Sequence, residues 1–311
     1  MFDDRPTAPV ESPVRDGVAA LAAGSADPPT IVSISDVHGY LEEARSALLT
    51  LADHDDYDPV VTADAAGRLQ WAGNDYVLVF NGDLVDRGPH NAAVVEMVRR
   101  LLEQAPDGRV RVTLGNHEMG IMMPHRFGWD GCYSTDRTNQ ERRGFLDRIA
   151  DGHVVAAYEG HNVTFAHAGR PDPYEAATLN DALVSAARTL REAVGSADDA
   201  TVQQELIDGY PAVLGLGGRT GRGPGAGVAW LDFEYMPADA PPQVVGHTRQ
   251  DNPRRREAVV CQNVIRNNHR TGGGEAVVVE TPECVVALGR AADGTVMTHE
   301  FSMPDATDPV E

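Results

Sequence analysis

Five short apolar runs in this chain each end beside a cluster of glycine and polar side chains, and this pattern constrains the fold most. Residues 76–80 are apolar without alternation, as expected of a strand buried on both faces. Because loops at the carboxyl ends of parallel strands carry ligand chemistry, we expect the polar side chains to meet. The runs at 31–34, 76–80, 110–114, 163–166 and 244–245 lead into Asp-Val-His-Gly, Asn-Gly-Asp-Leu-Val-Asp-Arg-Gly, Gly-Asn-His-Glu, His-Ala-Gly and Gly-His-Thr.

The side chains in these loops indicate a metal site. A mixed set of carboxylate, amide and imidazole groups suits borderline divalent transition metals better than calcium. The stretch 81–88 alone is also compatible with a surface turn, but five clusters in order favour a site. Glycine beside each cluster lets the backbone turn sharply and leaves room for the ligands.

The order of these motifs resembles the calcineurin-like metallophosphoesterases, specifically the phosphoprotein phosphatase branch, which the Asp-Arg-Gly at 86–88 marks. Trp-Ala-Gly-Asn at 71–74 and Asn-His-Glu-Met-Gly-Ile-Met at 116–122 look most like the bacterial-type Shewanella-like phosphatases. The His-Ala-Gly at 167–169 is also seen in symmetrical diadenosine tetraphosphatases. The resemblance implies an α/β fold: a two-sheet β-sandwich flanked by helices, the αββα architecture.

The resemblance also implies a role for each matched residue. His117 would protonate the leaving oxygen and Asp86 would orient it, while Arg87 and Asn116 would bind the phosphate. Asp83 would bridge two divalent metal ions, with manganese favoured and iron or zinc as alternatives. The candidates for a second phosphate-binding arginine are Arg219 and Arg222, with Arg170 as another. The implied ligands are Asp36, His38 and Asp83 for one metal, and Asp83, Asn116, His167 and His247 for the other.

The activity implied by this resemblance is hydrolysis of phosphomonoesters by metal-bound hydroxide. The substrate would be a phosphorylated protein, carrying phosphoserine and phosphothreonine or phosphotyrosine, or a small phosphoester. The alternative is a nucleotide pyrophosphohydrolase of the diadenosine tetraphosphatase kind. A metal-binding scaffold without activity is disfavoured, because no ligand and no proposed catalytic residue is missing.

Composition adds expectations about environment and partners. The chain has 311 residues and a formal charge of -21, and all 26 of its basic residues are arginine. Acidic surfaces of this kind suit a salt-rich cytoplasm, where salt screens the repulsion. They argue against binding to nucleic acid or to an anionic membrane. Three widely spaced cysteines fit a reduced compartment, and no apolar run approaches the ~20 residues of a membrane helix.

The domain organisation expected from the sequence is a single catalytic domain over 30–303. Residues 1–29, rich in Pro and Asp, read as a mobile tail, and 304–311 as another. We expect a helical insertion at about 175–210, a loop packed over the site at 119–136, and a hairpin from 154–158 and 163–166. Apolar runs within 258–298 would complete the second sheet, and the glycine-rich 215–227 is either a linker or a phosphate-binding loop. Three consecutive arginines at 254–256 read as a solvated loop that could also attract phosphorylated substrates.

Overall fold

Two β-sheets form the centre of the molecule in the computed structural model, which describes residues 8–23 and 27–301. The chain also contains short 3-10 turns at Leu51–Asp53 and Phe233–Tyr235. The strands are, in chain order, β1 (Ile31–Ile34), β2 (Val61–Ala63), β3 (Leu69–Trp71), β4 (Val77–Phe80), β5 (Val110–Thr113), β6 (Val154–Val155), β7 (Ala157–Glu159), β8 (Thr164–Ala166), β9 (Gln243–Val245), β10 (Arg254–Arg256), β11 (Val259–Cys261), β12 (Ala276–Glu280), β13 (Val285–Arg290) and β14 (Val296–Phe301).

Helices cover the outer faces of both sheets. In chain order they are α1 (Ser12–Asp16), α2 (Ala19–Ala22), α3 (Leu41–Leu48), α4 (Asn91–Gln104), α5 (Asn116–Met122), α6 (Pro124–Phe127), α7 (Asn139–Ala150), α8 (Ala176–Ala193), α9 (Asp199–Gly209), α10 (Pro211–Leu214) and α11 (Ile265–Asn268). None of the described helices is long and apolar enough to cross a membrane.

The larger sheet has the strand order β14-β13-β12-β1-β4-β5-β6, and β1, β4, β5 and β6 run parallel. The smaller sheet has the order β10-β11-β9-β8-β7, with β8, β9 and β11 parallel. A separate antiparallel hairpin joins β2 to β3. The carboxyl ends of β1, β4, β5, β8 and β9 therefore carry the five polar clusters.

Alternation along β4 shows how the layers pack. Val77 and Val79 belong to an apolar layer that includes Phe165 of β8, while Leu78 and Phe80 belong to the layer that contains the apolar face of α4. Because successive side chains of a strand point to opposite faces, one side of the sheet contacts the second sheet and the other contacts helices. All four residues of β4 are buried, as the unbroken apolar run predicted. The predicted α/β sandwich flanked by helices is confirmed.

The predicted hairpin from 154–158 and 163–166 is only partly correct. Val154–Val155 forms β6 at the edge of the larger sheet, and only Ala157–Glu159 pairs with β8. The chain changes sheets at Ala156, where the buried Asn180 of α8 accepts hydrogen bonds from the N–H groups of Ala156 (2.8 Å) and Ala157 (3.1 Å). A side chain thus replaces the missing strand partner at the crossing point.

The expectation that the carboxyl-terminal strands complete the second sheet is wrong for most of them. Only β11, and β10 before it, join that sheet. Strand β12 pairs antiparallel with β1, so β12, β13 and β14 extend the larger sheet instead. The apolar pattern identified these strands, but the local sequence of a strand does not show which distant strand it pairs with.

Segment 119–136, predicted as a loop over the site, begins as helix. It contains most of α5 and all of α6, and only the remainder is irregular. All seven residues of α5 are buried. A helix buried all round has no polar face, so its sequence shows no helical periodicity.

The expected amino-terminal tail contains packed structure in its described part. Helix α1 lies against the domain, and the residues on both sides of it are also held there: Val18 is 1% exposed, and the Val10 N–H donates to Asp151 O. Residues 1–7 and 24–26 of that tail, and residues 304–311 of the other, lie outside the described part of the chain. The two longest helices of the expected insertion are present as α8 and α9.

Candidate metal centre

The loops that follow the strands hold their polar residues in a left-handed backbone conformation. Residues with positive φ cluster at the predicted site: Asp36, His38, Asp83, Asp86, Arg87 and His247, with φ between 49° and 71°. This conformation is uncommon for residues other than glycine and concentrates at functional sites. Sharp turns of this kind direct side chains from neighbouring strands into one volume.

Asp83, at the end of β4, lies at the centre of the site. Its Oδ2 is 3.5 Å from His38 Nε2 and 3.4 Å from His167 Nε2. Two groups of possible ligand atoms share Asp83: one with His38 and His117, the other with His167 and His247. Of the predicted ligands, Asp83 alone therefore belongs to both groups.

The half of the site at the end of β1 contains His38 and Asp36. The His38 Nδ1–H donates to Val85 O at 2.9 Å, which leaves Nε2 facing Asp83 and Asp36 Oδ1, 3.8 Å away. Burial lowers the pKa of His38 to about 3, so the imidazole is held in the neutral form that binds metals. Asp36 accepts hydrogen bonds from Asn263 Nδ2 (2.7 Å) and the His247 N–H (3.0 Å).

The other half lies at the ends of β8 and β9. His167 Nδ1–H donates to Asn81 O at 3.0 Å, and His247 Nδ1–H donates to Asn116 Oδ1, also at 3.0 Å. These bonds orient both rings so that each Nε2 faces the site. The two Nε2 atoms are buried and have no hydrogen-bond partner among the described residues.

These orphaned nitrogens test whether the site fits the implied metals. Buried polar atoms without partners are costly unless a ligand satisfies them, and here two imidazole nitrogens and a carboxylate face one volume. Burial raises the pKa of Asp36 and of Glu118 to about 7, and the nearby Asp83 charge adds to both increases. Against the effect of burial, the Asp83 carboxylate raises the pKa of His167 to about 9, whereas burial lowers the pKa of His247, so the crowded carboxylates favour added positive charge. The donor set therefore fits divalent cations.

Glycines keep this volume open. A Cβ on Gly115 would lie 2.3 Å from Asp83 Oδ1, and a Cβ on Gly246 would lie 2.2 Å from Asp36 Oδ2. Real Cβ atoms do not approach other atoms so closely, so any other residue at either position would displace a carboxylate. The predicted need for glycine beside the ligands is confirmed at both positions.

His117 and Asp86 form a hydrogen-bonded pair beside the metal ligands. His117 Nδ1 lies 2.6 Å from Asp86 Oδ2, and His117 Nε2 lies 3.5 Å from Arg87 Nη2. The Nδ1 side of the ring is thus occupied, while Nε2 faces the volume next to Asp83. Ser134 completes the pair, since its N–H donates to Asp86 Oδ1 (2.9 Å) and its hydroxyl donates to Asp86 Oδ2 (2.6 Å).

Sequence reasoning missed three buried residues that support the site. Ser134 holds Asp86, and Asn263 holds Asp36. Glu118 accepts hydrogen bonds from the N–H groups of Asp83 (2.7 Å), Leu84 (2.9 Å) and Gly115 (3.1 Å). Only Glu118 had a local signal, because it stands three residues after the residue that caps α5.

An aromatic wall runs along one side of the site. The Trp129 ring lies 5.0 Å from the His117 ring, and Phe127 connects Trp129 (5.0 Å) to Trp230 (5.4 Å). Trp230 in turn lies 6.2 Å from His247. Trp129 and Phe127 are partly exposed, so this wall reaches the molecular surface on the His117 side of the site.

The arginines predicted to bind phosphate differ in their partners and in their exposure. Arg87 lies beside His117, as expected. Arg222 is paired with Asp232 at 2.9 Å, and Asp232 also accepts from Thr248, next to His247. Arg219 is exposed on the glycine-rich loop, and in the described chain it makes no hydrogen bond or ion pair.

Two further arginines can be compared with these. Arg170 donates to Ala212 O at 3.1 Å. Arg266, which sequence reasoning missed, lies near the site, since its pKa is lowered by burial and by the charges of Arg87 and Arg249.

Comparisons with known proteins agree with this fold. A symmetrical bis(5'-nucleosyl)-tetraphosphatase from Baumannia cicadellinicola subsp. Homalodisca coagulata is 32% identical over 89 residues, which span 29% of this chain and only 23% of that protein. The fold is similar to a cold-active protein-tyrosine phosphatase from a psychrophilic Shewanella species, with a TM-score of 0.56 and 18% identity over 95% of this chain and 86% of that one. A second structure of a cold-active protein tyrosine phosphatase is similar with a TM-score of 0.55 and 17% identity, over 95% of this chain and 85% of that one.

The family model for calcineurin-like phosphoesterases matches residues 29–213, which is more than half of the chain and includes every predicted ligand except His247. Members of this family are metal-dependent hydrolases, and the residues gathered around Asp83 provide the donors that such metals need. The chain belongs to the calcineurin-like phosphoesterase family.

Proposed function

We propose that this protein is a phosphatase of the phosphoprotein phosphatase branch that hydrolyses phosphomonoesters on proteins with two divalent metal ions. The observation that carries the proposal is the position of Asp83, which both groups of possible ligands share and whose Oδ2 is 3.5 Å from His38 Nε2 and 3.4 Å from His167 Nε2. The bound metals would supply Lewis acidity toward the phosphoryl oxygens and lower the pKa of water. The proposed ligands are those predicted from the sequence.

The remaining steps belong to this chain's own side chains. Arg87 donates charge-assisted hydrogen bonds to the phosphate oxygens and holds the ester beside His117. His117 Nε2 then gives its proton to the leaving oxygen, while Asp86 holds the ring through Nδ1. The wall formed by Trp129 and Trp230 excludes water on that side of the site.

The aromatic wall favours phosphotyrosine among the phosphorylated amino acids. The ring of a phosphotyrosine is attached directly to the leaving oxygen, so it would lie next to His117, where Trp129 offers an aromatic face 5.0 Å away. Phosphoserine and phosphothreonine would leave this face uncovered. We therefore expect tyrosyl esters to be cleaved faster than seryl esters.

A nucleotide pyrophosphohydrolase is the second candidate. The observation in its favour is the 32% identity over 89 residues to the symmetrical tetraphosphatase. In a dinucleotide the adenine is separated from the cleaved bond by ribose and phosphate. Trp129, which lies next to His117, would therefore not contact the adenine directly. Turnover of phosphotyrosine and phosphoserine peptides, compared with turnover of diadenosine tetraphosphate, discriminates between the candidates. A strong preference for the dinucleotide would refute the protein phosphatase.

The metals and the habitat are also proposals. Mixed carboxylate and imidazole donors suit manganese, which we favour, and also iron and zinc. The three cysteines are all free thiols, which fits a reducing cytoplasm, and the acidic surface fits high salt.

The ligand assignment predicts that a chelator abolishes phosphatase activity and that added manganese restores it. Asp83→Asn removes the charge shared by both groups of ligands, so we expect nearly all activity to be lost and the metal content to fall below that of the native protein. Circular dichroism would verify that the variant remains folded. Full activity of metal-free Asp83→Asn protein would contradict the bridging role.

A further inference from the structure

The segment that follows His247 has the opposite charge to the rest of the chain. Residues 249–270 contain six arginines against two acids, Asp251 and Glu257, in a protein with a formal charge of -21. This segment includes β10, which consists of Arg254, Arg255 and Arg256. A local reversal of charge on this scale indicates a partner that carries negative charge.

Strand β10 is exposed and lies at the end of the smaller sheet. Its three residues are all exposed, and only one of its edges is paired, with β11. Its free edge therefore presents N–H and C=O groups to solvent. An exposed strand edge of this kind can accept an added strand from a peptide.

The three arginines of β10 differ from many others in the chain in lacking carboxylate partners. Elsewhere arginine pairs with nearby acids, as in Arg68–Asp64 (2.8 Å) and Arg290–Asp53 (2.7 Å). No ion pair joins the β10 arginines to a carboxylate in the described chain. Arg256 donates to Glu234 O at 2.9 Å and Arg255 to Glu257 O, both backbone carbonyls. Three adjacent guanidinium groups without acids are unexpected where acids outnumber arginines.

The strand begins close to the metal centre. Arg254 is paired with Cys261, whose thiol lies 3.3 Å from Gly246 O and 3.1 Å from Thr248 O, on either side of His247. Neighbouring strands are about 4.8 Å apart, so a peptide added outside β10 would lie roughly 14 Å from β9. Since an extended residue spans about 3.3 Å, about four residues would connect it to the site.

We propose that β10 is a docking strand for an acidic segment of a phosphorylated protein substrate. The inference rests on the proposed protein phosphatase function and specifies its substrate. The segment adds to the free edge through main-chain hydrogen bonds. Its acidic side chains pair with Arg254 and Arg256 on one face and with Arg255 on the other, because strand residues alternate. The phosphorylated residue lies about four residues away, at the metal centre.

The test compares two phosphopeptides that differ only in one segment about four residues from the phosphorylated residue: three glutamates in one, three glutamines in the other. The phosphorylated residue is whichever of tyrosine and serine the metal-loaded native enzyme cleaves faster. Assays are run at the lowest salt concentration at which the protein stays folded. We expect the native enzyme to prefer the acidic peptide in kcat/KM by about tenfold, which is what three exposed ion pairs supply together.

The triple variant Arg254→Gln, Arg255→Gln, Arg256→Gln should lose this preference, mainly through KM. The matched control, Arg68→Gln, Arg188→Gln, Arg191→Gln, makes the same change in net charge on other exposed surfaces and should keep the preference. Loss of the preference in both variants would show a general charge effect and overturn the docking strand. Equal kcat/KM for the two peptides in the native enzyme would overturn it as well.

The remaining outcomes separate this inference from the function on which it rests. Cleavage of both peptides with no effect of the β10 variant refutes docking and keeps the phosphatase. Cleavage of diadenosine tetraphosphate with no cleavage of either peptide refutes the phosphatase itself. A variant that keeps the peptide preference but loses binding to a single-stranded oligonucleotide would assign the strand to nucleic acid and overturn the proposal.

Discussion

At the scale of single residues, Asp86 fixes the ring of His117, because its two carboxylate oxygens take part in three hydrogen bonds. Oδ1 accepts from the Ser134 N–H, and Oδ2 accepts from the Ser134 hydroxyl and faces His117 Nδ1 at 2.6 Å. Ser134 is fully buried and its N–H and hydroxyl both donate to Asp86, so we infer that it is a positioning residue. The proposed catalytic geometry thus depends on a side chain that belongs to no recognised motif.

This arrangement predicts a graded loss of activity. His117→Ala should lower the rate by roughly 10²- to 10⁴-fold, because it removes the proton donor. Ser134→Ala should act in the same direction but less strongly, since Asp86 keeps one of the two bonds from that residue. Both losses should shrink for an aryl phosphate with an acidic leaving group, which needs less protonation. The measurements are kcat for paired substrates of high and low leaving-group pKa.

Metal content decides whether His117 is an acid or a ligand. His117 and His38 both lie close to Asp83, so the geometry allows either role. We expect His117→Ala to retain the metal content of the native protein. Loss of metal in this variant, or equal rate losses on both substrates, would mean that His117 is a ligand or a structural residue.

At the scale of secondary-structure elements, one side chain of helix α8 joins several parts of the fold. Asn180 accepts from the N–H groups at the crossing between the sheets, and its own amide donates to Ala157 O (2.9 Å) and to Asp16 Oδ1 (2.8 Å) on α1. The side chain is 1% exposed. Two sheets and the amino-terminal segment therefore depend on this residue for buried hydrogen bonds.

Asn180→Ala should lower the free energy of unfolding by about 2 to 4 kcal/mol, because it leaves buried N–H groups without an acceptor. Asn267→Ala is the matched control. Among the described residues that side chain makes one exposed hydrogen bond, to Asp251 at 3.0 Å, so its loss should cost less than about 1 kcal/mol. Denaturant titrations give both values. Equal losses in the two variants would contradict the structural role of Asn180.

The secondary-structure elements also show how much of the fold could be predicted from the sequence. Strand β4 and helix α4 follow from local apolar patterns, and the residues at the strand ends do converge around Asp83. Helix α5 could not be recognised, because it is buried on all sides. The positions of Ser134 and Asn263 could not be predicted either, since each contacts a residue far away in the chain.

Charge is the dominant feature at the scale of the whole molecule. The chain contains 47 acids against 26 arginines, so many carboxylates have no arginine partner. Like charges on a folded surface repel, and this repulsion disfavours the compact state. At low ionic strength it extends across the molecule, because the Debye length is about 30 Å at 0.01 M salt but about 3 Å at 1 M.

Salt should therefore stabilise the protein. We expect the melting temperature to rise by at least about 5 °C between 0.01 and 1 M potassium chloride, which is a change of about 3 kcal/mol for a chain of this size. Screening of the surplus carboxylates is the physical reason, and the measurement is thermal unfolding across a salt series with metal held constant.

Sucrose at matched osmolality provides the control for this last prediction. It stabilises folded proteins by exclusion from their surface but does not screen charge. If screening is the cause, potassium chloride should raise the melting temperature well above the sucrose value at low ionic strength. At molar salt, added sucrose should give only its usual small increment. A melting temperature that is flat or falls with salt, or that rises equally in sucrose, would refute a surface adapted to high salt.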